Sequence, residues 1–431
     1  MPDSPAASVQ TPRSPVAANP VPAILIAVLA HLTAVAPLAT DMYLSAFPEM
    51  AADLGTSATG IQLTLTAFLI GLGLGQLFIG SLSDSIGRRR PLLIGSLACL
   101  VAGVACALAP NVELLALARF AQGLSGAAGV VLARAMISDT SRGAAAAKLL
   151  GVMMIISVIA PVVAPLSGGA IVANIGWRAV FWVLAALTLI MFAGAAVFTK
   201  ESLPVSARTR GGVRATITGA RAILSNRNYV GYLLTFCFAF AALFAYISAS
   251  PFVIQNVMGL SAGVYSIVFG LNALVIVITS SVAAALAGRV SYRAMILAGL
   301  AAAALATAGL LVAVFNGVPT LPTLVLFALF QGSLGFIFSN ATTLALEEAE
   351  AYAGTGSAFL GFLQFTLAAL VSPLVGLGGE STAIPMGLAM IISIVLAVLA
   401  FAILTRKSSR PGAHVESGAE QGADQGRAAV I

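Results

Sequence analysis

The stretch PLATDMYLSAFPEM (Pro37 to Met50) places one carboxylate, Asp41, in a run otherwise nearly free of charge. Asp41 is the only Asp or Glu that falls well inside an apolar stretch long enough to cross a bilayer. Holding a charged Asp at mid-bilayer costs about 2.5 to 3.5 kcal/mol, and each Leu or Val returns only about 0.3 to 0.6. Several apolar residues are therefore spent to carry it. Low dielectric favours a protonated carboxyl, so an acid in this position suits proton exchange. The alternative is an acid that caps a kink or sits at headgroup level ahead of Pro48.

A second charge, Arg119, lies in the apolar run LALARFAQGLSGAAG (Leu115 to Gly129). Asp41 precedes Pro48 by seven residues, and Arg119 follows Val112, where a helix starts behind the turn APN, by seven. At about 1.5 Å per residue, both groups lie roughly 10 Å inside the same face of the bilayer. An acid and a base at equal depth can neutralise one another and respond to a proton; an Arg119 acting alone would snorkel to the interface. Gln122 shares the helix face of Arg119. His31, ten residues before Asp41, is either a proton relay or a packed histidine.

Ligand-binding chemistry is sought in the remaining polar and aromatic groups. Phe236, Phe240 and Phe244 recur every four residues, with Tyr246 nearby. This stripe is either an aromatic wall for flat, lipophilic or cationic ligands or a lipid-facing or core surface. Tyr43, Gln62, Gln122, Asn272, Gln331, Asn340 and Gln364 are uncharged and deep enough to hydrogen-bond a ligand. Cys99, Cys106 and Cys237 lack metal-ligand spacing and read as small core residues. No G-x-x-x-x-G-K-[ST] loop for a nucleotide, no metal cluster and no Ser/His/Asp set is found, so no cofactor is expected.

The elements that must position these residues follow from composition. The 431 residues are 60% hydrophobic and 8% charged, with mean hydropathy +1.04, which excludes a soluble domain. Twelve apolar stretches of spanning length run from 22–47 to 383–405. Of 21 Lys and Arg, 18 fall in the tails and in the loops after even-numbered spans. One, Arg178, falls in the opposite loops, and Arg119 and Arg134 fall in the fourth span. This asymmetry predicts both termini in the cytoplasm. The formal charge of +6 is thus loop charge that sets topology, with no nucleic-acid partner implied. Disordered tails are expected at 1–21 and 406–431, six-helix bundles at 22–199 and 228–405, and a cytoplasmic loop at 200–227. Two echoes favour a duplication with a pathway between the halves: LSDSIGRRRPLLIG (Leu82) with LAGRVSYRAMILAG (Leu286), and AQGLSG (Ala121) with FQGSLG (Phe330).

Several motifs carry a family resemblance. GSLSDSIGRRRPLL (Gly80 to Leu93) resembles the signature loop G-x-L-x-D-x-x-G-R-[RK] of the major facilitator superfamily. LALARFAQGLSGAAG is similar to its span 4 motif, and APVVAPLSGG (Ala160 to Gly169) to the span 5 motif of its antiporters, with Ala164 where the family has Gly before Pro165. TDMYL, GWRAVFWVL, SASPFV and AGTGSAFLGFLQF resemble the Bcr/CflA branch of twelve-span drug/proton antiporters, although Ser138 stands where that branch often has a basic residue.

The resemblance implies an all-α membrane protein of twelve transmembrane helices in two six-helix bundles, with spans 1 and 4 facing a central cavity. It implies proton-coupled export of small organic molecules by alternating access in the bacterial inner membrane, by a monomer whose partners are substrate, protons and the lipid bilayer. Asp41 and Arg119 would couple the proton. Gly80, Asp84, Gly87, Arg88 and Arg89 would form a latch bridging the two halves, closed in the outward-facing state and broken on inward opening. Pro165, Gly168 and Gly169, with Pro161, make a bend and a smooth face for tight helix contact, which would limit leakage as the halves rock. Export of an endogenous metabolite such as an amino acid, and proton symport for nutrient uptake, remain compatible with the fold; an enzyme would need a reactive constellation that the sequence does not contain.

Overall fold

Hydrocarbon offers an apolar run no hydrogen-bond partner except its own backbone, and the α-helix satisfies that demand. The computed structural model describes residues 23–141, 143–208 and 212–405 and meets it with helices joined by short turns. The expected tails, 1–21 and 406–431, lie outside the described residues, as do Arg142 and Arg210.

The chain enters as α1 (Ala23–Asp41), breaks, and resumes as the short α2 (Phe47–Asp53). The first bundle continues with α3 (Ala58–Ile86), α4 (Arg89–Ala107), α5 (Val112–Thr140), α6 (Gly143–Ile175) and α7 (Trp177–Phe198). A linking helix, α8 (Gly212–Ser225), occupies part of the segment expected as loop and packs on the second bundle, with Ile223 buried and Gly219 facing Tyr352 and Thr355. The second bundle comprises α9 (Arg227–Phe252), α10 (Ala262–Leu286), α11 (Tyr292–Phe315), α12 (Thr320–Glu348), α13 (Ala353–Leu374) and α14 (Ile384–Leu404). Among the described residues, eleven spans, counting α1 with α2 as one, are long and apolar enough to cross a membrane. The 33-residue α6 is the twelfth long helix, with a shorter apolar run at Ile159–Ile175.

The break after α1 corrects the expectation of one uninterrupted first span. Pro48 has no N–H to offer the Leu44 carbonyl, so the helix cannot run through and restarts with Pro48 in its first turn. Met42 and Tyr43 form a turn and Leu44–Ala46 a 3-10 turn. Asp41 is therefore the last residue of α1, inside the span but at a break in its helix.

Close packing within the first bundle depends on missing side chains. α3 and α5 approach until a Cβ at Gly71 would collide with the Phe120 carbonyl and one at Gly123 with the Phe68 carbonyl. That contact fixes which face of α5 turns inward. The bundles meet along two seams, α3 against α13 and α6 against α10. At the second, the smooth face expected of the Pro/Gly motif is present. A Cβ at Gly169 would run into Ser266 of α10 across the seam, and one at Gly168 into the Met42 carbonyl in the α1 break of its own bundle.

Candidate functional site

Between the bundles lies a cavity of about 1450 Å³. It runs from Thr40 and Asp41 at its closed end to Asp84, Arg88, Tyr292 and Thr355 on the arginine-rich side, where the Asp84 side chain is 46% exposed. The opposite side is shut by contacts between bundles. Gln255 Nε2 donates to the Ser45 carbonyl (3.2 Å), Gln62 Nε2 to that of Ser248 (3.1 Å) and Thr66 Oγ1 to that of Ala369 (3.2 Å). The rings of Phe47 and Phe252 lie 6.1 Å apart across the same closure.

The two walls are chemically opposite. Among the described residues, every charged residue lining the cavity, Asp41, Asp84, Arg88 and Arg134, belongs to the first bundle, which contributes no aromatic ring. Phe240, Phe244, Phe269, Phe338 and Phe365 all come from the second, which contributes no charge. These rings support one another: Phe240 lies 4.9 Å from Phe244, 5.9 Å from Phe338 and 5.6 Å from Phe365, the last edge-on. Phe236 stacks behind Phe240 at 5.9 Å and does not line the space. The stripe expected on span 7 is thus part wall and part core.

Asp41 is 6% exposed, and among the described residues no ion pair involves it. This corrects the expectation of an Asp41–Arg119 pair. Arg119 is fully buried, outside the cavity lining, with its guanidinium 4.3 Å from the Tyr43 ring centroid and 4.1 Å from that of Phe68. Its Nη1 donates to Gln122 Oε1 (2.7 Å), whereas Nε and Nη2 have no hydrogen-bond partner among the described residues. Each desolvated stack is worth about 2 kcal/mol, so two together match the roughly 2.5 to 3.5 kcal/mol that an arginine at mid-membrane costs. The rings thereby do the work expected of the carboxylate. The turn after α1 brings in Tyr43, two residues beyond Asp41, in place of the acid itself.

Of the residues read as substrate contacts, Phe240, Phe244, Gln331, Asn340 and Gln364 line the cavity; Tyr43, Gln62, Gln122, Tyr246 and Asn272 do not. Tyr43 and Gln122 hold Arg119, and Gln62 serves the closure. Tyr246 accepts from Asn272 Nδ2 (2.9 Å) between the rings of Phe269 and Phe327. His31 is a packing residue, its Nε2 2.9 Å from the Leu187 carbonyl. Gln76 lines the cavity and was not singled out, although the rule that selected Gln62, an amide in an apolar run, applies equally to it. Phe338 and Phe365 lacked a stripe to mark them.

The latch residues meet, but within one bundle. Arg88 Nη1 donates to Asp84 and Ser83 (both 2.6 Å) and its Nε to Asp139 (3.0 Å). Arg89 donates to the Thr199 and Ala196 carbonyls (2.9 and 3.0 Å) at the end of α7. Gly87 has φ +98°, and a Cβ there would strike the Glu201 carboxylate. That carboxylate accepts from the Arg88 and Arg89 amides (2.7 and 3.4 Å) at the start of α4. Burial pushes the Glu201 carboxyl up, but the amides of Arg88, Leu203 and Arg89, with Arg208, hold it below its ordinary value of 4.5. Among the described residues the cluster makes no bridge to the second bundle; it ties α3, α4, α5 and α7 together on the open side. Asp139 and Glu201 were not picked out, since only folding brings them to Arg88.

The family model of the Major Facilitator Superfamily matches residues 29–373. The chain belongs to the major facilitator superfamily. Within it, the chain is 38% identical to the "Uncharacterized MFS-type transporter YdgK" of Bacillus subtilis, over 88% of this chain and 94% of that protein. It is 30% identical to the "Bicyclomycin resistance protein homolog" of Haemophilus influenzae, over 89% and 97%. It is also 30% identical to the "Multidrug resistance protein MdtL" of Salmonella typhimurium, over 57% and 61%. These relatives fit the Bcr/CflA branch to which the motifs point. The superfamily fold is equally plain in solved structures. A bacterial homolog of the human lysosomal transporter Spinster, inward-facing and unoccupied, aligns with TM-score 0.69 at 15% identity, covering 88% of this chain and 95% of that one. A D-xylose-proton symporter aligns with TM-score 0.68 at 13% identity, covering 89% and 98%.

Proposed function

We propose that this chain is a proton-coupled efflux carrier of drugs or other small organic molecules, working as a monomer in the bacterial inner membrane by alternating access. The observation that carries this reading is Asp41: a buried, unpaired carboxyl at the closed end of a cavity whose facing wall is aromatic. The resistance proteins among the relatives favour export of drugs. The arginine-rich side, toward which the cavity opens, is the cytoplasmic one by the positive-inside rule, so the structure is read as inward-open.

In that state Asp41 gives up its proton to the cytoplasmic cavity and substrate settles against the rings. An uncompensated carboxylate is costly once the cavity closes around it. The carrier therefore turns over with Asp41 neutral or with substrate bound, and not with an empty, charged site. Facing outward, Asp41 takes a proton and the substrate leaves. Tyr43 links this event to the fixed charge of Arg119, because the turn that follows Asp41 carries the ring on which the guanidinium lies.

One proton per cycle follows from one deep acid. Moving one charge through about 100 mV is worth about 2.3 kcal/mol, which sustains a gradient of about 40-fold for a neutral substrate, whereas a monocation exchanged for a proton draws only on the pH difference. The test is proton release from purified protein on adding bicyclomycin or a cationic dye. Wild type releases about one proton per bound ligand near neutral pH, and Asp41→Asn binds without release. Undiminished release by Asp41→Asn overturns the assignment of the carrier.

A further inference from the structure

We propose that Gln331 is the amide that selects the substrate, its carbonyl oxygen accepting a hydrogen bond from an N–H donor on an aromatic or lipophilic amine. The inference rests on the export reading and adds the substrate class to it.

The argument starts from the duplication. AQGLSG and FQGSLG align Gln122 of α5 with Gln331 of α12, the fourth spans of their bundles, and Gly123 and Gly126 with Gly332 and Gly335. The first pair packs alike: Gly123 abuts Phe68 of α3, the second span of its bundle, and Gly332 faces Val275 and Thr279 of α10, the second span of the other; the second pair differs, Gly126 meeting Cys99 of α4 and Gly335 meeting α10. In the first bundle the amide is satisfied, because Gln122 Oε1 accepts from Arg119. In the second, the position three residues earlier, where Arg119 would stand, is Ala328. Gln331 has kept the acceptor and lost the donor.

The geometry agrees. Gln331 is 2% exposed, lines the inner part of the cavity, and its Oε1 has no hydrogen-bond partner. A buried carbonyl left unmade is expensive, so a ligand that supplies the donor is favoured over one that cannot. The amide lies beside the Tyr246 hydroxyl, which itself accepts from Asn272. Phe269, stacked on Tyr246, and Phe244 line the same cavity, where they can stack on the apolar part of such a ligand and favour its cationic head. Asp41, the one acid at that depth, favours the same charge.

The experiment compares two ligands with one ring system and one positive charge: naphthylethylamine, which has N–H donors, and its quaternary trimethylammonium analogue, which has none. Affinities are measured by equilibrium binding to the purified full-length chain. Wild type prefers the amine by about 5- to 150-fold. Gln331→Met, similar in length, loses most of that preference, and Gln331→Glu, which restores an acceptor, recovers or raises it. An amine-to-quaternary ratio that is the same in wild type, Gln331→Met and Gln331→Glu overturns the assignment. If Gln331→Met does not fold, a ratio near one in wild type, or a Gln331→Glu ratio below that of wild type, has the same force. Failure of the Asp41→Asn test alone removes the proton and leaves this ratio intact, whereas a wild-type protein that releases a proton to bicyclomycin but binds neither amine overturns the Gln331 assignment and leaves the export reading standing.

Discussion

At the scale of single residues, the first bundle keeps an arginine in the membrane without a carboxylate. Arg119 lies between the rings of Tyr43 and Phe68 and shares one bond with Gln122. A guanidinium stacks on two faces at once; an ammonium of equal charge does not. Arg119→Lys should therefore lower stability by about 1 to 3 kcal/mol, seen as a lower unfolding temperature, and Arg119→Met should cost less because it removes a buried charge. A lysine variant as stable as wild type would rule out ring stacking as the compensation. Asp41, Arg119 and Gln331 were legible in the sequence because a polar atom in an apolar run is an anomaly that needs no structure to see. Their partners were not. Which way Arg119 points is set by the α3–α5 glycine contact and the turn at Tyr43, neither of which helix periodicity records.

At the scale of elements, the cluster around Gly87 is a joint between four helix ends, and its carboxylate makes it sensitive to acid. Glu201 is held below its ordinary value of 4.5 in the folded chain. A carboxyl with a depressed folded value contributes stability that is present above the unfolded value and lost as pH falls through the folded one. The joint should thus be intact above about pH 4.5 and loosen below it, while Glu201→Gln should flatten that dependence. Hydrogen exchange of the Arg88 and Arg89 amides across pH 3 to 6 measures both, and identical profiles in the two proteins would contradict the role given to Glu201. The spans themselves were readable, since a run of about 20 apolar residues admits little else. The exceptions have local causes. Pro48 was taken as the end of the first span, whereas a proline at a first turn begins a helix as readily as it stops one. α8 is short and partly polar, and its burial against Tyr352 is a tertiary fact.

At the scale of the whole molecule, the bundles are shut on one side by the Gln255–Ser45 and Gln62–Ser248 contacts and parted on the other by the cavity. Turnover requires that closure to open. A short thiol crosslink between Ser45→Cys and Gln255→Cys should stop transport while leaving binding from the arginine-rich side intact, and reversal of the crosslink should restore transport. Cys99, Cys106 and Cys237 are all buried and should not compete for reagent. Undiminished transport by crosslinked protein would mean that this closure is not a gate. The chemical opposition of the cavity walls bears on how such a chain diversifies. Among the described residues, the charged groups of the cavity all come from one half of the polypeptide and its aromatic rings from the other. Drift in the later codons can widen or shift the cargo without disturbing the engine, and a gene fusion that exchanges the last six spans would hand the same motor a new load.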